Sequence, residues 1–420
     1  MGAIARPREP ARTIARAGTG RMRVAINGAG VAGPALAYWL SRGGHEVVLI
    51  EQAPHFRTGG YVIDFWGVGY TVAERMGILA DVRAAGYSVG EVRFVDDRGR
   101  KVGGFFADVF RRITGDRFTS LPRGDLAATI YRAVEGRVET IFADSIAALR
   151  EREADILASF ERGEPRAFDL VIGADGLHSA VRRIAFGPEG RFETQLGYRV
   201  AAFEVEGYRP RDELSYVCYA RPGRQVGRFA LRGDRTMFLL VFAAEHATGP
   251  EPHDAWGRKA LLRRVFGEDG WECPQILGAM DGVDDIYYDR VSQIRMDAWS
   301  RGRVALIGDA AACVSLLAGE GTGLALAEAY VLAGELNRTP GDHRGAFRRY
   351  ESRLRPFIEG KQESARKFAP AFAPRTRPGI WFRNQVTRVM AIPPVARLFL
   401  ARALRDDLEL PDYETPAHPE

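Results

Sequence analysis

Cysteine is scarce in this 420-residue chain: Cys218, Cys273 and Cys313 are far apart, odd in number and form no CxxC. A disulfide scaffold or a dithiol redox centre is therefore not indicated, and a reducing cytoplasm fits. Lysine is almost as rare, with only Lys101, Lys259, Lys361 and Lys367 among 59 Lys and Arg residues. The formal charge of +5 thus rests on arginines scattered among acids, which argues against a nucleic-acid partner. No apolar run approaches the roughly 20 residues that span a bilayer, and the start lacks the apolar core of a secretory signal. No His, Cys and acid cluster has metal-ligand spacing, and no GxSxG turn occurs. With 46% hydrophobic residues the chain can bury a full core, and its length allows two or three domains.

Residues 1–21 are arginine-rich, contain Gly and Pro, and have almost no acid. They read as a disordered leader or an over-extended gene start, with a transit peptide as the alternative, because "MRVAING" from Met22 has the form of a natural beginning. The stretch "VAINGAGVAGPALAYWLSRGGHEVVLIE" then reads as strand, turn, helix and strand. In its turn Gly28 permits the tight bend, Gly30 lets backbone approach a pyrophosphate, and Gly33 lets helix pack on strand. Val31 and Ala32 lie between them, where the helix start offers free N–H groups to phosphate. Glu51 ends the second strand about 20 residues on, where an acid accepts from a ribose hydroxyl and repels a 2′-phosphate, favouring FAD or NAD over NADP.

Two later strand tips share this logic. "DLVIGADGLHSAVRR" breaks after a short apolar segment at Asp175 and Gly176, and "RVALIGDAAACVSLLAGEGTGLALAEAY" ends its strand near Asp309. A carboxylate beside a pyrophosphate is unfavourable, so Asp175 and Asp309 are better read as acceptors for sugar or ribityl hydroxyls. Gly319, Gly321 and Thr322 open a helix whose partial positive charge suits an anion. With the nucleotide end already placed on Gly28–Gly33, the reduced ring of a flavin is the group left for it.

These three ordered motifs, "GAGVAG" with Glu51, "GADGLHSAVR" and "GDAAACVSLLAGEGTG", resemble the single-component FAD-dependent aromatic hydroxylases, the class of para-hydroxybenzoate hydroxylase and the tetracycline-inactivating monooxygenases. "RTGGYVIDFWGVGYTVAERMGIL" and "LPRGDLAATI" are similar too. The resemblance implies that Arg123 reaches the ribityl and phosphate side of the flavin. It implies a reaction in which NADPH or NADH, a transient visitor, reduces bound FAD, and O2 then adds as a hydroperoxide that delivers oxygen to an aromatic small molecule. The cofactor carries the difficult chemistry, so no fixed protein nucleophile is needed. Against the family pattern, Ala312, Leu316 and Glu320 replace a frequent His, Pro and Gln, and Gln52 stands beside the adenosine half where Arg often follows the acid. Glu320 would either cap the late helix or oppose an anionic ring.

The expected fold is α/β: a Rossmann-like FAD-binding domain (22–87, 119–190 and 291–336), an inserted, mainly antiparallel β substrate domain (88–118 and 191–290), and a C-terminal helical region (337–420). Alternating segments such as "RVAAFEVEG" and "TMFLLVFAAE" carry the strand signal. Phe203, Tyr216, Tyr219, Phe229 and Phe238 are candidates to face an aromatic substrate, though alternation puts only half of any strand on one face. Tyr216 and Phe229, with Arg57 and Asp64 after the second strand, are the pocket residues chosen. His178 reads as a helix-start residue without a defined partner. "VARLFLARALRDDLEL" and "WFRNQVTRVM" suggest bracing helices. The alternatives are an NAD-dependent dehydrogenase, which leaves the second and third motifs unexplained, and a flavin oxidase or reductase without oxygen insertion. A flavin halogenase is disfavoured because the six tryptophans form no paired motif.

Overall fold

A computed structural model describes residues 20–56, 60–390 and 408–413. Arg57, most of the leader, and all of "VARLFLARALRDDLEL" before Leu408 lie outside the described residues.

The first apolar run forms the strand Arg23–Asn27, with Val24, Ala25 and Ile26 fully buried. It lies centrally in a six-stranded sheet ordered Ser300–Arg301, Val304–Leu306, Leu170–Gly173, Arg23–Asn27, Glu46–Glu51 and Glu139–Phe142. All neighbours are parallel except the Ser300–Arg301 edge. Parallel strands need crossovers that cover the faces, so each reads as continuous apolar sequence rather than as alternation. Register brings the tips level: Asn27 lies opposite Ile50 on one side and Gly173 on the other, and Gly173 opposite Leu306. Gly28, Glu51, Asp175 and Asp309 consequently crowd one edge of the sheet, outside the carboxyl ends of its strands, where open α/β sheets bind ligands.

A second sheet of seven strands is ordered Tyr287–Ile294, Glu193–Glu206, Arg235–Ala243, Arg224–Ala230, Ser215–Arg221, Glu91–Val95 and Lys101–Phe106, antiparallel except between the fifth and sixth. Its two faces pack against different layers. Phe203, Tyr219 and Phe238 join Leu261, Leu262, Val265 and Phe266 of the helix Ala255–Phe266. Tyr216 and Phe229 point the other way, toward Tyr61, Tyr287, Leu316 and Leu317.

The helix His343–Phe372 follows the break at Pro340 and Gly341. Its buried positions include Phe347, Tyr350, Leu354, Ile358, Gln362 and Ala365, spaced by three or four, the pattern of one apolar stripe. Gln362 donates to the carbonyls of Ile294 (2.8 Å) and Cys313 (3.0 Å), fastening the second sheet to the loop after Asp309. "WFRNQVTRVM" lies in the helix Arg377–Met390, against the edge strand Lys101–Phe106. Among the described residues no helix is long and apolar enough to cross a membrane.

Candidate FAD and substrate site

The first turn is closed by backbone. Gly28, at φ +112°, donates to the Ile50 carbonyl (2.7 Å), and a Cβ there would lie 2.4 Å from the Ala174 carbonyl oxygen. A Cβ on Gly33 would come within 1.9 Å of the Gly28 carbonyl oxygen. No side chain fits at either place. Val31 and Ala32 start the helix Ala32–Arg42, which has no side-chain cap, so its first N–H groups face the turn. Glu51 accepts from the N–H of Ala29 (2.9 Å) and, through its other oxygen, from that of Ala53 (2.9 Å). These two bonds aim its carboxylate along the turn. Gln52 follows at the exposed rim.

Arg123 begins the helix Arg123–Arg132, and its backbone is held by the Tyr61 carbonyl (3.0 Å). Its guanidinium lies deep, with one nitrogen 3.9 Å from where a Gly30 Cβ would stand. Desolvation pulls its pKa down, while Tyr61, Asp309 and Tyr287 push it up and prevail. No carboxylate among the described residues forms an ion pair with it. A cation so placed favours an anionic ligand.

Asp309 follows Gly308, and its Oδ1 lies 3.6 Å from the position a Gly321 Cβ would take, so the third strand tip touches the late helix start. The Thr322 hydroxyl, in the first turn of the helix Gly321–Arg338, is buried without a hydrogen-bond partner among the described residues. Behind this edge, Gly308 donates to Glu328 (2.7 Å), and Tyr350 lies 2.9 Å from the same carboxylate oxygen and 3.1 Å from the Leu306 carbonyl. One hydroxyl hydrogen cannot serve both acceptors. A proton on Glu328 satisfies the whole chain, in accord with burial lifting its pKa from 4.5 to about 7.

Asp175 is placed at the same edge, but its oxygens turn inward. They accept from Asn27 (2.9 Å), from the Val181 N–H (3.1 Å) and from the Ser179 hydroxyl. The carboxylate thereby ties the first strand to the helix Ala180–Ala185. Arg182 of that helix is wholly buried and donates to the Ala310 carbonyl (3.0 Å), bracing the backbone beside Asp309. The sequence marks Arg182 only as a charged position in a short helix. Glu328 and Tyr350 carry no sequence signal beyond polar positions in helices.

His178 is the clearest correction. It has defined partners: one ring nitrogen lies 3.1 Å from Glu189 and the other 3.1 Å from Asp289. The hydrogen bond to Asp289 leads the rise of its pKa to about 9, so the imidazolium bridges two carboxylates. The second acid is 111 residues away on the other sheet, beyond any local pattern.

The departures at the third motif also have physical outcomes. Ala312 is buried in the core. Leu316 packs in the apolar cluster with Tyr61, Tyr216 and Tyr287. Glu320 stands at the N-cap of the late helix without capping it, and instead forms an ion pair with Lys361 of the long helix at 2.9 Å. Across from this loop, Tyr216 stacks on Phe229, their centroids 5.7 Å apart, and Asp64 accepts from Ser120 (2.5 Å).

The family model described as FAD binding domain matches residues 21–359. An uncharacterised protein of Mycobacterium tuberculosis is 39% identical over 355 residues, 84% of this chain and 94% of that protein. A flavin-dependent monooxygenase from an unknown prokaryotic organism is 32% identical, covering 94% of this chain and all of that one. The crystal structure of the tetracycline destructase Tet(55) superposes with a TM-score of 0.80 at 30% identity, over 94% of this chain and 99% of that one. HpxO of Klebsiella pneumoniae, solved with FAD and uric acid, shares the fold at a TM-score of 0.74 and 22% identity, over 91% and 95% of the two chains. With its motifs converging on one sheet edge and its likeness running over most of its length, the chain belongs to the FAD-binding-domain family of flavin-dependent monooxygenases.

Proposed function

We propose that the protein uses NADPH or NADH and O2 to hydroxylate a phenolic, polyketide-like or heteroaromatic small molecule. The observation that carries this reading is Arg123: a deep cation without a carboxylate partner among the described residues, set against the Gly30 turn on one side and Asp309 on the other. An extended dinucleotide with a pyrophosphate at its centre supplies the missing anion. FAD, when bound, would supply the redox chemistry between a nicotinamide donor and oxygen.

The chain's own residues bind, orient and shield. Gly28, Gly30, Val31, Ala32 and Gly33 offer backbone to the pyrophosphate, and Glu51 accepts from the adenosine ribose beside Gln52. Asp309 accepts from ribityl hydroxyls, and Asp175 acts through Asn27 and Ser179 by fixing the edge. Gly319, Gly321 and Thr322 would offer N–H groups and an unsatisfied hydroxyl to the ring. The Glu320–Lys361 pair cancels a charge that would otherwise oppose electron uptake there. Tyr216 and Leu316, backed by the fully buried Phe229 in one apolar cluster, would form the apolar side of the substrate site, with Asp64 as its polar contact. The likeness to tetracycline destructases supports a polyketide-like substrate class.

The test follows NAD(P)H consumption, peroxide release and incorporation of labelled oxygen across a panel of phenols and polyketides. Substrate-stimulated consumption with label in the product is expected. Turnover of a substrate without label would replace oxygen insertion by a flavin oxidase or reductase, and purified protein devoid of flavin would point to a dehydrogenase.

A further inference from the structure

Charge is mixed along most of the chain, but residues 364–405 carry nine Arg and Lys and no Asp or Glu. With 59 cations against 54 acids in all, the remainder is net negative. The described helix Arg377–Met390 within this stretch contributes Arg377, Arg383 and Arg388.

This helix turns its polar side to the protein. Its buried positions are Asn384 and Thr387. The Thr387 hydroxyl accepts from the N–H of Gly104 on the edge strand (3.1 Å), and a Cβ on Gly103 would stand 3.0 Å from the Asn384 carbonyl oxygen, so the approach is close. Arg383 lies over the Phe94 ring, 4.0 Å from its centroid, and donates to Gln225 (2.6 Å). Fastened by these contacts, the helix leaves its apolar residues outside. Trp381 is 63% and Phe382 65% exposed, and Val386 and Val389 continue the exposed stripe at helical spacing. Phe106, at the end of the same edge strand, is exposed as well. So are Arg377 and Arg388.

A helix packed on a protein ordinarily buries its apolar face. Large aromatic side chains left together in water are unfavourable until a partner covers them, and such patches mark interaction surfaces. Charge decides among the partners. A second copy would set arginines against arginines, and residues 391–405, which follow the helix, bring three more arginines and no acid. An anionic lipid surface satisfies both kinds of group: the acyl boundary takes Trp and Phe, and the phosphates take the guanidinium groups.

We infer that the protein docks on anionic membrane surfaces through the exposed face of Arg377–Met390. Trp381 and Phe382 enter the headgroup boundary, and Arg377 and Arg388 meet lipid phosphate. The helix lies on the bilayer, since its 14 residues are too few to cross one. This contact is separate from the flavin site and does not depend on the proposed reaction.

The test sediments the full-length, FAD-loaded protein with vesicles of phosphatidylcholine alone and of phosphatidylcholine mixed with phosphatidylglycerol. Binding to the mixed vesicles is expected, with little to the neutral ones, and it should fall as added salt screens the charges. Arg377→Ala with Arg388→Ala should weaken it by about 30-fold. Trp381→Ala with Phe382→Ala should weaken it by at least about tenfold, with flavin content and melting temperature unchanged. Failure to bind the mixed vesicles, equal binding to both kinds, or binding that survives both double variants overturns the inference. A dimer seen in lipid-free sedimentation velocity and dissociated by Trp381→Ala with Phe382→Ala also overturns it, because a second copy then covers the face. If one double variant misfolds, the other variant and the two vesicle types on the unaltered protein still decide.

Discussion

The two ends of the site are built from different material. At the proposed nucleotide end, the groups on offer are backbone within one short span: Gly28 to Gly33 and the returning acid Glu51, with glycines packed so closely that a Cβ on Gly33 would overlap a carbonyl. At the proposed ring end stand side chains from distant segments: Asp64 on one strand, Tyr216 and Phe229 on another sheet, Glu320 on a loop and Lys361 on the long C-terminal helix. A backbone cradle suits an invariant ligand such as a pyrophosphate. A wall of exchangeable side chains suits a substrate that differs from one relative to the next. On the proposed assignment the cofactor is held by what the fold must have, and the substrate by what the fold merely carries.

The contrast can be broken at four points. Gly33→Ala should do the most damage. Its Cβ meets backbone rather than a movable side chain, so a stability loss of about 3 kcal/mol is expected, along with loss of bound flavin, read from the flavin-to-protein absorbance ratio and a melting curve. A variant that keeps its flavin and melting temperature would show that the turn is not a tight cradle. Asp309→Ala should leave the fold intact and weaken FAD by about 2 kcal/mol, some 30-fold in Kd; unchanged flavin content and turnover would remove Asp309 from the site.

Glu328→Gln sharpens the comparison from behind the edge. The folded pKa of Glu328 is raised from 4.5 to about 7, so the native state holds the proton longer than the unfolded chain. Its contribution to stability is full below pH 4.5 and is lost as pH rises through about 7. Glutamine does not titrate, and the variant's stability should be flatter over that window in denaturant titrations; an unaltered slope would assign the titration to another group. The smallest effect is expected at His178, whose side chain is half exposed. His178→Ala should cost less than about 1 kcal/mol. Because the folded pKa lies near 9 against 6.5, the difference should be fully present below pH 6.5 and fade as pH rises through about 9. A constant difference across that range would mean that the imidazolium charge is not what binds Glu189 and Asp289.

Much of the fold was legible because its signals are local. Continuous apolar runs mark the central parallel strands, Gly28–Gly33 mark the turn between strand and helix, and polar–apolar alternation marks the second sheet. Strand alternation also implies that Phe203, Tyr216, Tyr219, Phe229 and Phe238 cannot all face one way, but not which are which. The structure sends Tyr216 and Phe229 toward the late loop and the other three to the far layer. Asp175 shows the opposite limit: the sequence locates it at a strand tip, yet its oxygens are spent on Asn27, Ser179 and Val181. His178 and Glu320 gained partners that no spacing reveals.

The sequence alone determined the order of the three motifs, the backbone conformations that only glycine permits, and hence the expectation of a ligand long enough to reach all three strand tips. Those are properties of residues within a few positions of one another, governed by steric limits on φ, ψ and Cβ. Tertiary structure alone decided which charges meet: Lys361 with Glu320, Asp289 with His178, Arg123 with the Gly30 turn, and nothing cationic among the described residues with Asp64. Electrostatic pairing depends on distance through space and on the water removed between partners, and neither is written along the chain.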